Sequence, residues 1–306
     1  MTALPEKIRV VEVGPRDGLQ SETQLIDSAT KIELINRLSS ARLPVVEATS
    51  FVSPRWIPQL ADAEEVLAGI DRRPGTDYPV LVPNLRGLER ALSAGVREIA
   101  VFTAASEAFN RKNVNAGIDE SLDRIGEIAA PALKAGLRIR GYVSCVLGCP
   151  YEGRVSPDVV VDVARRLTQA GCYEVSLGDT IGVGTPGAAR GLVDAVAAEI
   201  GLQRVAVHFH DTRGQALANV LACLQAGVAT VDAAVAGLGG CPYARGATGN
   251  LATEDLIYML HGMGLETGVD LDALIETGLF ISRALGRHPV SRLGQIAVLA
   301  AEQDTI

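Results

Sequence analysis

No stretch of this chain approaches the roughly 20 consecutive apolar residues that a bilayer-spanning helix needs, and no cluster of Lys and Arg stands out along it. The first absence argues against a membrane-spanning protein. The second, with 28 Lys and Arg against 36 Asp and Glu and a formal net charge of -8, argues against nucleic acid or an acidic membrane surface as partner. Neutralising phosphates takes concentrated positive charge. Cysteine is sparse: Cys145, Cys149, Cys172, Cys223 and Cys241 are odd in number and fit no zinc-ligand framework, so a reducing cytoplasm is the expected compartment. The opening MTALPEKIRV has neither the apolar core of a secretion signal nor the Arg-rich amphipathic pattern of a transit peptide. Low-complexity linkers are missing as well. What is there is 48% hydrophobic and 21% charged residues, enough for one large core and a soluble exterior. At 306 residues the chain is long for one domain, but a single α/β barrel takes about 250 residues, so one catalytic domain over residues 1–306 is expected, with 265–306 as a helical extension.

Short β-branched runs recur at residues 8–13, 44–49, 79–82, 98–103, 138–143, 174–177, 205–209 and 230–235. Between these eight lie segments of helical period. After Ser156 and Pro157, the residues Val159, Val160, Val163 and Leu167 share one face; Ser156 suits an N-cap, Pro157 the first helical position and Gly171 the stop. Thr185, Pro186 and Gly201 repeat that grammar one unit later. An internal repeat of helix, Ala-Gly and strand appears as AGVREIAVF, AGLRIRGYV, AGCYEVSLG and AGVATVDAAV, in which the glycine can take the left-handed conformation that ends a helix. Eight strands alternating with helices predict a (β/α)8 TIM barrel rather than its alternative, a doubly wound open sheet. Two further helical patterns, at 251–263 and 271–285, follow the eighth strand, and the second is expected to pack outside the barrel.

Polar residues fall at the strand ends. Arg16 and Asp17 follow the first strand, Glu47 lies in the second, Asp179 follows the sixth, and His208 and His210 end the seventh. Parallel barrels build their active sites at these carboxyl ends. In VAVHFHD the two histidines are two apart, so both point to one face of a strand. Two inward imidazoles with Asp17 across the barrel seam suit a metal ion better than a pair of hydrogen-bonded core histidines. Oxygen-rich ligation of this kind favours Mg2+ or Mn2+, and zinc or cobalt could substitute. The segment GLGGCPYARGATGN after the eighth strand is rich in glycine, and Cys241 at its centre and Asn250 at its end mark it as functional rather than as a plain turn. Cys172 and Cys223 read as packing residues, and the spacing of Cys145 and Cys149 is weak evidence for metal.

The blocks VEVGPRDGLQSE, VVEATSFVSP, YVSCVLGCPYEG, SLGDTIGVGTP, VHFHDTRGQALAN and GLGGCPYARGATGNLATED resemble the 3-hydroxy-3-methylglutaryl-CoA lyase family, a branch of the DRE-TIM metallolyases. They occur in family order from Val11 to about Asp255, and the last fifty residues are less diagnostic. The resemblance implies that Asp17, His208, His210 and Asn250 hold a divalent cation, Mg2+ or Mn2+. It implies that Arg16, with Gln20 beside it, binds an acyl-CoA substrate and polarises its carbonyl. Glu47, Asp179 and His208 would serve proton transfer and site geometry, with Asp179 as the base, and Cys241 would be the mobile catalytic cysteine. The implied reaction is cleavage of 3-hydroxy-3-methylglutaryl-CoA, or a close 3-alkyl homologue, to acetyl-CoA and the matching 3-oxo acid, in a cytoplasmic enzyme that forms a homodimer. Two other functions compete. A condensing acyltransferase of the isopropylmalate or homocitrate synthase type shares the Arg-Asp-Gly and His-X-His elements, but usually carries a Glu where this chain has Leu19 and lacks a counterpart to GGCPYA. A barrel that binds acyl-CoA without turnover would have lost Arg16, a histidine or Cys241, and all are present.

Overall fold

The computed structural model describes residues 4–239 and 249–303. Its strands are β1 (Arg9–Glu12), β2 (Val45–Val46), β3 (Thr49–Ser50), β4 (Val80–Leu81), β5 (Glu98–Ala104), β6 (Arg138–Ser144), β7 (Glu174–Asp179), β8 (Val205–Phe209) and β9 (Thr230–Ala233). The helices are α1 (Ser28–Ser40), α2 (Ala63–Gly69), α3 (Leu85–Ser93), α4 (Glu107–Val114), α5 (Ile118–Lys134), α6 (Pro157–Gln169), α7 (Pro186–Ile200), α8 (Ala216–Leu224), α9 (Thr253–Gly262), α10 (Leu271–Ala284) and α11 (Arg292–Gln303). Every strand pairing is parallel, in the order β2-β1-β9-β8-β7-β6-β5-β4-β3.

Nine segments replace the eight expected strands because the second is interrupted at Glu47 and Ala48. The interruption closes the barrel. Glu47 N–H donates to the Glu12 carbonyl on one side (2.8 Å), and Ala48 N–H donates to the Pro79 carbonyl on the other (3.0 Å). One run of chain therefore serves both ends of the sheet, and the fold is a TIM barrel.

The local signals act as the sequence suggests, with exceptions. Ser156 caps α6 by accepting from the Asp158 N–H, and the glycines of the Ala-Gly repeat, Gly95, Gly136, Gly171 and Gly227, have φ of +68° to +105°. Thr185 precedes α7 but makes no side-chain cap. The Arg-Asp-Gly sequence is not a simple loop: Gly14–Gly18 forms a π-helical turn directly after β1. The tail holds a third helix, α11, that the sequence reading did not anticipate.

The apolar core lies between the outer face of the barrel and its helices. On β8, Val205, Val207 and Phe209 join it, and on β6 so do Ile139 and Val143. The alternate residues face the barrel interior, where apolar layers are usual. Here the interior is a polar column. At its base Arg9 and Arg140 share Glu174, and Arg138 pairs with Glu98. At mid-height Arg140 grips Asp232 with two hydrogen bonds (3.1 and 2.7 Å). Charged residues can be buried this way only when each finds partners.

Helix α10 packs against the end of β9 through Gly278. A Cβ there would sit 2.3 Å from Glu254 Oε1, and that carboxylate holds the Ala236 N–H. Gly278→Ala is expected to lower the unfolding free energy by about 1–3 kcal/mol, as overpacking does. Gly191→Ala, on the exposed face of α7 with open space around it, is expected to raise it by about 0.5–1 kcal/mol. Urea denaturation of the two variants checks the pair; a stable Gly278→Ala would mean that α10 shifts freely.

Candidate active site

The carboxyl ends of the strands place six of the expected residues in one cluster. The π-helical turn brings Arg16 and Asp17 together, and Arg16 Nη1 donates to Asp17 Oδ1 at 2.6 Å while Nη2 donates to Glu47 Oε2 at 2.9 Å. Arg16 is nearly buried. Burial alone would lower its pKa, but Glu47 and Asp17 more than offset this and hold the guanidinium charged. The same Glu47 oxygen accepts from the Tyr142 hydroxyl at 3.0 Å. Tyr142 in turn lies between two guanidinium groups, with Arg16 5.4 Å and Arg140 4.9 Å from its ring centre, cation–π contacts that desolvation strengthens. Its ring meets the His208 ring in a T-shaped contact, with centres 6.4 Å apart.

Asp17, His208 and His210 offer ligand atoms that all lie within 4.8 Å of one another, the one such cluster of three among the described residues. Desolvation pushes the Asp17 carboxyl up, but Arg16 and the two histidines outweigh it and leave the pKa at about 2. Burial, helped by the neighbouring His208, pushes His210 down to about 4. Asp17 is therefore an anion and His210 a neutral imidazole, the protonation states that metal ligation needs. Asn250 is joined to His210 by a β-bridge. It donates its amide nitrogen to Asp17 Oδ2 (3.0 Å) and to the Leu238 carbonyl (3.1 Å), while its Oδ1 has no hydrogen-bond partner among the described residues. His210 Nδ1, Glu47 Oε1 and Arg16 Nε share that condition. Unpartnered buried polar atoms are rare in folded proteins. Four of them at one barrel mouth, beside the anionic Asp17 and the neutral imidazole of His210, fit a divalent cation and an oxygen-bearing ligand.

The remaining expected residues lie differently. Asp179 belongs to the odd-numbered set of β7, with Val175 and Leu177, which pack toward the helices. Its carboxylate accepts the backbone N–H groups of Val183 (3.1 Å) and Gly184 (2.7 Å). Burial raises its pKa against those bonds, and Arg213 and His208 are near enough to act on it. Gln20 follows the π-helical turn, half-buried. Cys241 lies outside the described residues. Cys145 and Cys149 are not in the metal-type cluster: Cys149 Sγ accepts from Ser106 and the Tyr151 and Glu152 N–H groups, and both cysteines pack with Ala104 and Phe109.

Sequence reasoning missed Tyr142, Arg140, Asp232, Glu12 and Glu254. The first three had a signal, since RIRGYV and TVDAAV carry polar residues at alternate positions of otherwise apolar strands. Glu12 and Glu254 brace the backbone of the mouth. Glu12 Oε1 accepts from Gly14 N (2.7 Å) and Val235 N (2.9 Å), and its Oε2 accepts from Thr253 Oγ1 (2.6 Å).

An all-parallel TIM barrel with Arg-Asp at the end of its first strand and His-X-His at the end of a later one defines an enzyme of the DRE-TIM superfamily. The chain belongs to the HMGL-like family, whose model matches residues 7–281. The mitochondrial hydroxymethylglutaryl-CoA lyase of Bos taurus is 59% identical over 291 residues, covering 95% of this chain and 90% of the bovine protein. The cytoplasmic 3-hydroxy-3-methylglutaryl-CoA lyase of Rattus norvegicus is 55% identical over 98% of this chain and 88% of its own length. The crystal structure of hydroxymethylglutaryl-CoA lyase from Pseudomonas aeruginosa superposes with a TM-score of 0.95 at 57% identity, covering 97% of this chain and 99% of that one.

The bracing carboxyls give the mouth a pH dependence. Burial pushes Glu254 up to about 8 and Glu12 up to about 7, from an ordinary value of 4.5. Between 4.5 and these values the folded chain holds more protons than the unfolded chain, so stability falls as pH rises through that window. Glu254→Gln removes one of the two contributions. Its unfolding free energy is expected to gain on that of the parent protein from the acid end of the window to the alkaline end, read by urea titration at both ends. Parallel curves would show that Glu254 ionises as freely in the fold as outside it.

Proposed function

We propose that this chain is a carbon–carbon lyase that cleaves 3-hydroxy-3-methylglutaryl-CoA, or a close 3-hydroxy-3-alkylglutaryl-CoA, to acetyl-CoA and acetoacetate or the matching 3-oxo acid. The observation that carries this is the set of unpartnered atoms at one mouth, Arg16 Nε, Glu47 Oε1, His210 Nδ1 and Asn250 Oδ1, in a chain 59% identical to a lyase of that name. Neither a condensing acyltransferase nor a binding protein without turnover is favoured by any of the relatives described.

The reaction removes the proton of the tertiary hydroxyl and breaks the bond between the carbinol carbon and the acyl α-carbon. The electron pair departs as a thioester enolate, which takes a proton at carbon. Asp17, His208, His210 and Asn250 would hold Mg2+ or Mn2+, which, when bound, acidifies and orients hydroxyl and carbonyl oxygens. Arg16 supplies a fixed charge to the thioester oxygen where negative charge develops; Glu47 and Tyr142 hold that guanidinium in place, so little reorganisation is needed as the reaction proceeds. Asp179 is the proposed proton acceptor, with His208 lying near it. A carboxyl whose pKa is raised by burial is a stronger base than a solvated one, and protonating it weakens its bonds to Val183 and Gly184. Gln20 is proposed to contact the substrate, and Cys241 to supply the thiol that protonates the enolate carbon.

We further infer one catalytic unit, to which residues 265–306 add the helical extension. A homodimer is the proposed assembly, supported by the exposed apolar side chains Tyr258, Ile296 and Leu299 on α9 and α11. The four described cysteines are free thiols, a state that a reducing compartment preserves. Relatives include mitochondrial and cytoplasmic enzymes, and the cytoplasm is the compartment we propose. Among the described residues no helix is long and apolar enough to cross a membrane, and the net charge of -8 disfavours nucleic acid.

Product analysis tests the activity. The protein incubated with 3-hydroxy-3-methylglutaryl-CoA and Mg2+ or Mn2+ is expected to release acetyl-CoA and acetoacetate in equal amounts, to stop on chelation and to resume when the cation is restored. Turnover in a preparation shown by elemental analysis to be metal-free would remove the metal from the reading, and no cleavage of any 3-alkyl homologue would remove the lyase. Arg16→Gln is expected to fold, because the Tyr142 hydroxyl still donates to Glu47, and to lose about 100-fold to 1000-fold or more in kcat, the typical cost of deleting one donor to a developing oxyanion. A folded variant within about tenfold of the parent would place the stabilising charge on another residue.

A further inference from the structure

We propose that Asp232, clamped by Arg140 and Ser176, is the positioning residue that fixes the ring of His208, holding the imidazole proton on Nδ1 and leaving Nε2 free to face the barrel mouth. Asp232 lies directly across the β8–β9 ladder from His208. Its Oδ2 is 3.4 Å from His208 Nδ1, at ion-pair distance though outside hydrogen-bond geometry, and that nitrogen has no hydrogen-bond partner among the described residues. The carboxylate itself has no freedom to move. Arg140 Nη2 donates to Oδ1 at 2.7 Å and Nη1 to Oδ2 at 3.1 Å, while Ser176 Oγ donates to Oδ2 at 2.7 Å. Arg140 is fixed in turn by its Nε–H bond to Glu174 (2.6 Å) and by the ring of Tyr142 above it.

The chemistry of a neutral imidazole makes this matter. One ring nitrogen carries the proton and the other the lone pair, and the partner of the first decides which. An ionised carboxylate beside Nδ1 can only accept, so it selects the Nδ1–H form. A ring without that partner is free to exchange tautomers and to rotate, so that an N–H can face the cation. Carboxylate partners of ligating histidines commonly change metal affinity by about 10-fold to 100-fold when removed. This proposal rests on His208 being a metal ligand, and its test uses no turnover.

Two measurements decide it. Nitrogen-15 correlation spectra of the Mg2+-loaded protein are expected to show His208 protonated at Nδ1 and not at Nε2. Titration of the metal-free protein with Mn2+, followed by electron paramagnetic resonance, is expected to show about 10-fold to 100-fold weaker binding for Asp232→Asn, whose amide can turn an N–H toward Nδ1. Ser176→Ala keeps the charge of Asp232 and loosens one bond, so a smaller loss in the same direction is expected. If Asp232→Asn does not fold, the parent tautomer and Ser176→Ala carry the test. A parent His208 with Nδ1 unprotonated overturns the proposal, as do folded variants that bind Mn2+ as the parent does with unchanged His208 shifts. Failure of the parent protein to bind Mn2+ would overturn both this role and the metal reading; normal binding by parent and variants alike overturns this role alone.

Discussion

A guanidinium sealed inside a closed barrel must be matched on every side or the barrel does not close around it. Arg140 is the largest fully buried side chain among the described residues, and its bidentate bond to Asp232 organises what lies above and below. Below, Arg140 shares Glu174 with Arg9; above, it underlies Tyr142, whose hydroxyl reaches Glu47 and through it Arg16. Burying such a pair is costly relative to apolar packing, and breaking one partner costs about 3–5 kcal/mol. The return is geometric. Each charged group has one place to stand, so the mouth of the barrel inherits a rigid floor.

That floor explains how the mouth can leave polar atoms unpartnered. Arg16 Nε, Glu47 Oε1, His210 Nδ1 and Asn250 Oδ1 lack hydrogen-bond partners among the described residues, an arrangement that would collapse onto itself if the side chains could swing. Tyr142, pinned between Arg16 and Arg140, prevents this for the guanidinium and for Glu47. The backbone is held as firmly: Glu12 ties the π-helical turn to the end of β9, and Glu254 ties the next residue to α9. Both carboxyls are held at a desolvation cost that shows in their raised pKa values. Stability is given up around the site in exchange for donors and acceptors already in place when charge develops, which is where electrostatic catalysis gains most.

The order of strands and helices was legible in the chain because each carries its own local cause. Val205, Val207 and Phe209 alternate with His208 and His210, and period two alone puts the histidines on one face. Ser156, Pro157 and Gly171 mark the ends of α6 within a residue or two. Tail helix α11 escaped notice although Leu293, Ile296, Ala297 and Ala300 recur at helical spacing; a single residue of it, Gly294, is buried, so this apolar face is not covered by the rest of the described chain. The split of the second strand was illegible for another reason: it reflects which neighbours Glu47 and Ala48 meet when the sheet closes, a fact about residues far away in sequence.

By itself, then, the sequence determined the alternation of strand and helix, the parallel barrel that follows from it, and the placing of Arg16, Asp17, Glu47, His208 and His210 at strand ends, because periodicity, capping and strand direction are local properties. Only the tertiary structure decided which polar groups pair. Asp179 looked equivalent to the other acids in sequence, yet its carboxylate is bound by the backbone of its own loop, at Val183 and Gly184. Arg140 and Asp232 are 92 residues apart, and nothing local relates them. They meet because closing the barrel brings β6 and β9 to face each other across an interior in which both side chains are buried, so the choice of partner is made by the geometry of closure.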